Sequence, residues 1–349
     1  MPTTTAIRVG LIGYGLAGRV FHAPFIAANP DLELALVSTS DPARAAEAAE
    51  RYPSARVVAR AEDVLASDVD LVVVASPVHA HFEQVSTALA AGHAVVVDKP
   101  FVPSVAEAKQ LIAVAEEAER ALIVFHNRRW DGDFLTVKAL VEQGRIGAVH
   151  RFESTFERWG GALRERWQDE IGPEVGGGIA FDLGSHLVDQ ALQLFGPAEV
   201  ELAEFARVRE GATSEDDAFI ALRHRNGVRS HLTLSRVAAL SGPRFRVLGS
   251  DGAYAVHGLD PQEGRLRSGT TDLDGIGVAT TDAWGELAIG GDVERVPTLD
   301  GDYAAFYRGV VATIRDGEPA PVDPRDALEV VRILENAHAV ARANAAATA

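Results

Sequence analysis

Short apolar runs alternate with alanine-rich segments of helical spacing over the first 125 residues. Runs such as residues 71–75 are apolar throughout rather than alternating with polar positions. This pattern is typical of parallel strands that are covered on both faces. Repeated strand–helix units therefore predict an α/β domain with a doubly wound parallel sheet over residues 1–125. The predicted strands are residues 7–12, 32–38, 71–75, 94–97 and 121–125.

The pattern changes after residue 125 and predicts a second, α+β domain over residues 126–349. Two dipeptides, Asn226-Gly227 and Asp251-Gly252, separate short alternating segments and predict β-hairpins. The sheet of this domain is therefore expected to be mainly antiparallel. Its predicted strands are residues 149–159, 217–225, 228–238, 245–249 and 253–258.

Helices are also predicted in the second half of the chain, at residues 134–143, 179–195, 303–316 and 324–346. The last of these begins at Asp323-Pro324, a cap followed by an N1 proline, and is expected to pack back on the first domain. Residues 260–300 are rich in Gly and Asp, and the pattern assigns them no structure.

Composition narrows the class of function. The 349 residues carry a net charge of −17, which disfavours binding to nucleic acid or to an anionic membrane. Cysteine is absent, so disulfides, thiolate metal sites and a cysteine nucleophile are excluded. No basic region precedes the first apolar stretch, and no apolar run reaches the ~18 residues of a membrane span. We therefore expect a cytoplasmic protein that acts on a small molecule.

A glycine loop follows the first predicted strand. It reads Gly13-Tyr14-Gly15-Leu16-Ala17-Gly18 and has the spacing G-x-G-x-x-G. In a dinucleotide site the three glycines allow the tight turn, the approach of the pyrophosphate and the close packing of the next helix. An ordinary glycine-rich turn is the alternative. The position on the first strand of a βαβ series favours dinucleotide binding.

The end of the second strand indicates which dinucleotide is bound. NAD enzymes place a carboxylate there for the ribose hydroxyls, whereas this chain has Ser38, Thr39 and Ser40, with Arg44 one helical turn later. These hydroxyls and the guanidinium suit a 2′-phosphate, so the sequence favours NADP over NAD. In the alternative, Asp41 is the ribose ligand, although its place before a proline suits a helix cap.

A lysine stands at the end of the fourth predicted strand. The segment Asp98-Lys99-Pro100 lies at the carboxyl end of a parallel strand, where such sheets bind ligands. Lysine is rare in this chain, since arginine supplies nearly all of its 33 basic residues. Lys99 is therefore a candidate to bind a reacting oxygen and to stabilise an alkoxide. A solvated loop lysine is the alternative.

A second candidate segment follows three glycines at residues 176–178. Asp182 and His186 are four residues apart and share one helix face, and Asp189 extends that face. His186 suits proton exchange near neutral pH, while Asp182 suits orienting it or holding a substrate hydroxyl. A core histidine and a metal site are the alternatives. We predict no metal, because no further His or carboxylate cluster lies nearby.

Several weaker candidates have equally plausible structural roles. His81, in the H-x-H at 79–81, is either at the cofactor edge or structural, and zinc is disfavoured. Asn127 and Arg129 contact either substrate or the other domain. Trp159, with Arg158 and residues 164–167, lines either a sugar pocket or the surface.

Taken in order, these motifs resemble one protein family. The chain resembles the Gfo/Idh/MocA family of NAD(P)-dependent oxidoreductases in its glycine loop and in four further motifs. Residues 18–24 and 126–131 are similar to the subgroup that contains an NADP-dependent scyllo-inositol dehydrogenase. The four further motifs are Ser76-Pro77 followed by His81, Asp98-Lys99-Pro100, Asn127-Arg128-Arg129, and G-G-G-x-x-x-D-x-G-x-H across 176–186.

The resemblance implies a Rossmann domain and an open-faced sheet that buries the interface of a homodimer or homotetramer. It implies that Lys99 binds the reacting hydroxyl, that Asp182 binds substrate and that His186 accepts the proton. It also implies that Ser76, Pro77 and Asp98 contact cofactor. The chain departs from the family at Asp98, where glutamate is usual, and at Val78, where many members carry Asn or Thr.

The leading hypothesis is an oxidoreductase that transfers hydride reversibly between NAD(P) and a secondary alcohol of a sugar or cyclic polyol. The main alternative is a non-catalytic NAD(P) sensor of the same fold, which could dispense with Lys99 and His186. A reductase of imines or biliverdin-like substrates is a third, for which no distinctive residue is present.

Overall fold

The computed structural model describes residues 5–163 and 167–348, and within these ranges the strands form two sheets. The first is a parallel sheet of six strands in the order β3-β2-β1-β4-β5-β6, which is the Rossmann order. The predicted doubly wound parallel sheet is therefore confirmed. Its strands are β1 (Ile7–Ile12), β2 (Leu32–Ser38), β3 (Arg56–Val58), β4 (Leu71–Val74), β5 (Ala94–Asp98) and β6 (Leu122–Phe125).

The second sheet of the described ranges has eight strands in the order β14-β13-β12-β11-β7-β10-β9-β8. All of its neighbouring pairs are antiparallel except β7 and β10, so the prediction of a mainly antiparallel sheet is confirmed. Its strands are β7 (Val149–Glu157), β8 (Ala198–Ala206), β9 (Asp217–His224), β10 (Arg229–Ser235), β11 (Phe245–Gly249), β12 (Gly252–Val256), β13 (Gly285–Ile289) and β14 (Asp292–Val296).

Helices cover the parallel sheet and one face of the second sheet. No helix in the described part of the chain is both long enough and apolar enough to cross a membrane. The helices are α1 (Ala23–Ala28), α2 (Pro42–Arg51), α3 (Ala61–Leu65), α4 (His81–Ala90), α5 (Val105–Glu117), α6 (Gly132–Glu142), α7 (Trp167–Glu170), α8 (Ser185–Phe195), α9 (Pro261–Arg267), α10 (Ala304–Asp316) and α11 (Pro324–Thr348).

The second sheet is covered on one face only. Along β10, Leu232 and Leu234 are fully buried, and Leu234 packs at Gly184 just before α8. The alternate residues His231 and Thr233 are half-buried on the opposite face. This period of two is the expected pattern for a sheet with one core face and one open face.

The expectation of no structure for residues 260–300 is wrong. Asp260 caps α9 by accepting a hydrogen bond from the Gln262 amide at 2.8 Å. Strands β13 and β14 form a hairpin through Gly290 and Gly291, both of which have positive φ. Both signals are visible in the sequence, as an Asp-Pro cap and a Gly-Gly turn. The segment has few apolar residues, so its helix and strands show no clear hydrophobic pattern.

Two hydrophobic cores lie beneath the two sheets, and α11 contributes to both. Ala327 and Val331 belong to the core of the parallel sheet, whereas Val330 and Leu334 belong to the core of the second sheet. The predicted packing of this helix against the first domain is therefore observed. The predicted domain boundary after residue 125 stays a prediction.

Candidate active site

The glycine loop after β1 has the geometry that a dinucleotide requires. Gly13 has φ +93°, and a Cβ there would lie 2.7 Å from the backbone oxygen of Ala75. A Cβ on Gly18 would lie 2.0 Å from the backbone oxygen of Gly13. Both positions therefore exclude any larger side chain. A turn of π-helix, Gly18–His22, follows the loop, and in this fold the start of the helix after the glycine loop is where the pyrophosphate binds.

Polar residues at the end of β2 and directly after it lie beside the glycine loop. Ser38 is buried, Thr39 is half-buried, and Ser40 is exposed. The guanidinium of Arg44 lies 3.9 Å from the point that a Cβ on Gly15 would occupy, so it lies over the glycine loop.

Asp41 is a helix cap. Its Oδ1 accepts hydrogen bonds from the backbone amides of Ala43 at 2.8 Å and Arg44 at 3.1 Å. The hydrogen bond from the Arg44 amide does most to lower the pKa of Asp41, and the bond from the Ala43 amide lowers it further. The geometry favours the capping role over the alternative of a ribose ligand.

His81 is clamped between two loops of the parallel sheet. Its Nδ1 lies 3.0 Å from the backbone oxygen of Phe101, and its Nε2 lies 2.9 Å from that of Ser76. Burial lowers the pKa of this imidazole. Because both ring nitrogens already have partners, the geometry favours the structural alternative for His81 over a direct cofactor contact. Ser76 itself donates its hydroxyl hydrogen to Gln84 at 2.7 Å.

Val78 and Pro77 begin the turn that follows the β4 loop. Val78 is buried, and its Cγ1 lies 2.7 Å from the point that a Cβ on Gly176 would occupy. Many members of the family that the chain resembles carry Asn or Thr at this position. Here Val78 makes an apolar contact to the three glycines at 176–178 instead. This contact joins the parallel sheet to the segment that carries Asp182.

Lys99 and Asp182 meet between the two sheets. The Lys99 ammonium donates to the backbone oxygen of Asp182 at 2.8 Å and to its Oδ1 at 3.2 Å. The other carboxylate oxygen, Oδ2, accepts a hydrogen bond from Arg236, which lies just after β10. Two cations therefore hold one half-buried carboxylate. Sequence reasoning missed Arg236, because nothing local marks an arginine after a strand as part of a site.

His186 lies in the first turn of α8, after a turn of π-helix over Ala180–Gly184. His186 is 4% exposed, and its Nδ1 has no hydrogen-bond partner among the described residues. Burial lowers the pKa of His186 well below its usual value, and the nearby positive charges of Lys99 and Arg128 lower it further. The imidazole is therefore neutral at neutral pH and able to accept a proton.

The carboxylate of Asp98 lies near the buried imidazole of His22. Its Oδ1 accepts from the Lys99 amide at 2.7 Å, and its Oδ2 lies 3.9 Å from Nε2 of His22. The Nδ1 of His22 lies 2.7 Å from the hydroxyl of Tyr307 on α10. Burial alone would raise the pKa of Asp98, but His22 and Lys99 lower it below its ordinary value. Asp98 therefore stays ionised beside Lys99.

The guanidinium of Arg129 is paired with two carboxylates of the protein. Its guanidinium donates to Asp189 on α8 at 2.6 Å and to Asp326 on α11 at 3.0 Å. This geometry favours the packing alternative for Arg129. Asn127 is buried in the same 3₁₀ turn, Asn127–Trp130, on the side of the parallel sheet that carries Lys99.

The remaining candidates are exposed, paired within the protein or outside the described residues. Trp159 is 66% exposed and is bridged to Val237, so it lies on the surface in this structure. Residues 164–166 and the side chain of Trp167 lie outside the described part of the chain. In the described ranges no group of three or more His, Asp or Glu side chains is arranged to hold a metal ion. Asp189, the rival metal ligand, is paired with Arg129.

Comparison with known proteins agrees with this geometry. Residues 7–126 match the model of an oxidoreductase family with an NAD-binding Rossmann fold, and residues 134–255 match the Gfo/Idh/MocA C-terminal domain. The chain belongs to the Gfo/Idh/MocA family of oxidoreductases. The tight turn at Gly13 and Gly18, where the backbone leaves no room for a Cβ, fits the glycine loop of an NAD-binding Rossmann fold.

Relatives within the family match over nearly the whole chain. The chain is 39% identical to the uncharacterised oxidoreductase YdgJ of Escherichia coli (strain K12), covering 94% of each chain. It is 32% identical to the scyllo-inositol 2-dehydrogenase (NADP(+)) IolW of Bacillus subtilis (strain 168), covering 95% of this chain and 92% of that protein. The solved structure of YvaA from Bacillus subtilis superposes with a TM-score of 0.91 at 31% identity, covering 99% and 98% of the two chains.

Proposed function

We propose that this protein is a dehydrogenase that oxidises, reversibly, a secondary alcohol of a sugar or cyclic polyol with NADP. The observation that carries the proposal is the meeting of Lys99 with Asp182, one helical turn before His186. A cation that binds oxygen and a neutral imidazole that accepts a proton are the two groups that alcohol oxidation needs.

The roles of these side chains follow from their charges. When bound, the nicotinamide supplies the hydride acceptor. Burial lowers the pKa of His186, so its imidazole is neutral and has one ring nitrogen without a proton. His186 removes the hydroxyl proton through that nitrogen. Lys99 donates to the same oxygen and stabilises the alkoxide that develops as the proton leaves. Asp182 fixes the lysine ammonium and offers its carboxylate to a neighbouring substrate hydroxyl.

Three observations support NADP as the cofactor. Arg44 lies over the glycine loop, Ser40 and Thr39 offer hydroxyls beside it, and Asp41 is committed to its capping bonds. A guanidinium with neighbouring hydroxyls suits a phosphate dianion better than a ribose diol. IolW, one of the relatives, is described as an NADP(+) enzyme, and its substrate is scyllo-inositol.

A panel assay tests the proposed function. The protein is mixed with NADP⁺ or NAD⁺ and with a set of inositols and aldoses, and absorbance at about 340 nm reports reduced nicotinamide. The proposal expects turnover with at least one polyol and a lower KM for NADP⁺ than for NAD⁺. Tight binding of NADP⁺ without turnover of any panel member would instead favour the NAD(P) sensor.

We also propose that the protein forms a homodimer or homotetramer through the open face of the second sheet. On β10, His231 and Thr233 are half-buried on the open face, whereas Leu232 and Leu234 are fully buried on the opposite face. This difference supports the open face as the interface between subunits. Light scattering after size exclusion should give a mass of two or four chains of 37.1 kDa each. A Thr233→Arg substitution on the open face should lower that mass.

A further inference from the structure

Arg236 is a buried arginine that continues strand β10 by one residue. It is 4% exposed, and its guanidinium donates to Oδ2 of Asp182. Its backbone amide donates to the backbone oxygen of Asp216, just before β9, at 2.9 Å. Its backbone oxygen accepts from the amide of Gly160, which follows β7, at 2.7 Å. The backbone of Arg236 is therefore bonded on both sides, and its side chain starts from a fixed point.

The turn of π-helix that carries Asp182 is held by Glu215, which also lies just before β9. The backbone oxygen of Glu215 accepts from the Ile179 amide at 3.0 Å, and its Oε1 accepts from the Ala180 amide at 3.2 Å. Arg236 and Asp182 are thus both bonded to one short segment that leads into a central part of the second sheet. Groups that are fixed in this way keep one relative geometry.

The ion pair of Arg236 and Asp182 belongs to a chain of alternating charges. Nε of Arg236 lies 3.9 Å from Oδ1 of Asp169 on α7. The Arg209 guanidinium lies 3.5 Å from the same Oδ1 and donates to Asp216 at 2.8 Å. Arg236 therefore joins the carboxylate beside Lys99 to the residues that precede β9. The three cations and three carboxylates follow one another in the order Lys99, Asp182, Arg236, Asp169, Arg209 and Asp216.

The Lys99 ammonium has three N–H donors, and Asp182 takes two of them. One donates to the backbone oxygen of Asp182 at 2.8 Å, and the other donates to its Oδ1 at 3.2 Å. The third N–H has no acceptor among the described residues, so it is the donor left for a substrate oxygen. The proposed function needs this third donor, which means that Asp182 must not take it as well.

Arg236 limits how far the carboxylate of Asp182 can turn towards Lys99. A carboxylate with a single cation beside it can present both oxygens to that cation. Here Arg236 holds Oδ2, so only Oδ1 faces the lysine. The distances agree with this division, because the 3.2 Å contact from Lys99 to Oδ1 is at the long end of the hydrogen-bond range, about 2.7–3.2 Å.

We propose that Arg236 is a positioning residue of the active site, which holds Oδ2 of Asp182 and thereby keeps one donor of Lys99 free for the reacting hydroxyl. This inference rests on the proposed function. Arg236 acts through Asp182 and does not itself touch the substrate. Loss of its guanidinium should let the carboxylate turn onto Lys99 and draw the ammonium away from the substrate oxygen.

A matched pair of substitutions tests this role. Arg236→Met removes the guanidinium and should lower kcat for the polyol found in the panel assay by about 100-fold, because displacing a reacting group by about 1 Å costs of that order. The Kd of NADP⁺ should not change. Arg209→Met is the control, since it removes another buried arginine from the same chain of charges. It should lower the melting temperature and leave kcat unchanged.

A second measurement needs no turnover. The chain has three lysines, Lys99, Lys109 and Lys138, so protein grown on ¹³C-labelled lysine gives three sets of side-chain NMR signals. In Arg236→Met the signal of the Lys99 carbon next to the ammonium should shift, because its carboxylate partner turns. The signals of Lys109 and Lys138 should stay in place, and Arg209→Met should leave all three unchanged.

The positioning role is overturned if Arg236→Met keeps the kcat of the wild type, if Arg209→Met lowers kcat equally, or if the Lys99 signal does not move. Should Arg236→Met not fold, Arg236→Gln decides by the same two measurements, since it also removes the charge and keeps a polar side chain. Failure of the wild-type panel assay would sink the proposed function alone. The lysine spectrum would still decide whether Arg236 positions Asp182 against Lys99.

Discussion

The Lys99 ammonium lies 2.8 Å from the backbone oxygen of Asp182, although the two residues stand 83 positions apart in the chain. One belongs to the edge of the parallel sheet and the other to the turn of π-helix before α8. Their bond places the carboxyl edge of the parallel sheet against the segment that precedes α8. Such π-turns are frequent at functional sites, where they redirect a side chain.

Lys99→Met should remove the cation at the reacting oxygen. We expect kcat to fall by roughly 100- to 1000-fold, as for the loss of one oxyanion donor, with unchanged Kd for NADP⁺. Steady-state kinetics and cofactor fluorescence measure the two quantities. Lys109→Met, on the exposed face of α5, is the control and should behave as wild type. Full activity in the Lys99 variant would remove the lysine from the mechanism.

Gly18→Ala should abolish cofactor binding, because the new Cβ would lie 2.0 Å from the Gly13 backbone oxygen. The loop must then open, and the pyrophosphate loses its cradle. Calorimetric titration with NADP⁺ checks the loss. Gly264→Ala is the matched substitution, since a Cβ there meets open space within α9, and it should stabilise the protein by about 0.5–1 kcal/mol. Normal NADP⁺ binding by the Gly18 variant would contradict the account of the loop.

Arg44→Ala should separate the two cofactors. Loss of charge-assisted bonds to a 2′-phosphate should raise the Kd of NADP⁺ roughly 10- to 100-fold and leave that of NAD⁺ unchanged. Binding titrations with both dinucleotides measure the ratio. Arg120→Ala, before β6 at the opposite edge of the sheet, provides the control. Equal weakening of both cofactors would mean that Arg44 serves the shared pyrophosphate.

Asp133→Asn should change how stability depends on pH. Burial, together with Asp131 and Asp260, raises the pKa of Asp133 to about 7. A raised carboxyl pKa stabilises the fold below the unfolded value of about 4, and this stabilisation is lost as pH rises to about 7. The variant should therefore gain stability relative to wild type between about pH 5 and pH 8, on the order of 2 kcal/mol. Urea unfolding across this range measures the difference, and a pH-independent difference would refute it.

Local patterns predicted five of the six strands of the parallel sheet. Strands β1 and β2 have the predicted bounds because each is a mostly apolar run that ends at a glycine or polar residue. Strand β3 has three residues and is half-exposed, so no periodicity could reveal it. Strand β8 was also missed, although residues 199–202 alternate acidic and apolar side chains as a half-buried strand does.

Residues of the site were predictable where a motif carries the chemistry, as for Lys99, Asp182 and His186. Arg236 was not assigned a role, because it acquires its importance from a neighbour far away in the chain. Arg236 meets Asp182 across 54 positions.

The central claim is that an amine and an imidazole act on one substrate oxygen, and a crystal structure of the complex with NADP⁺ and a polyol tests it most directly. We expect one hydroxyl oxygen within about 2.6–3.2 Å of both Lys99 Nζ and His186 Nε2, with its carbon facing the nicotinamide. A polyol whose hydroxyls contact neither group, or only one of them, would contradict the mechanism.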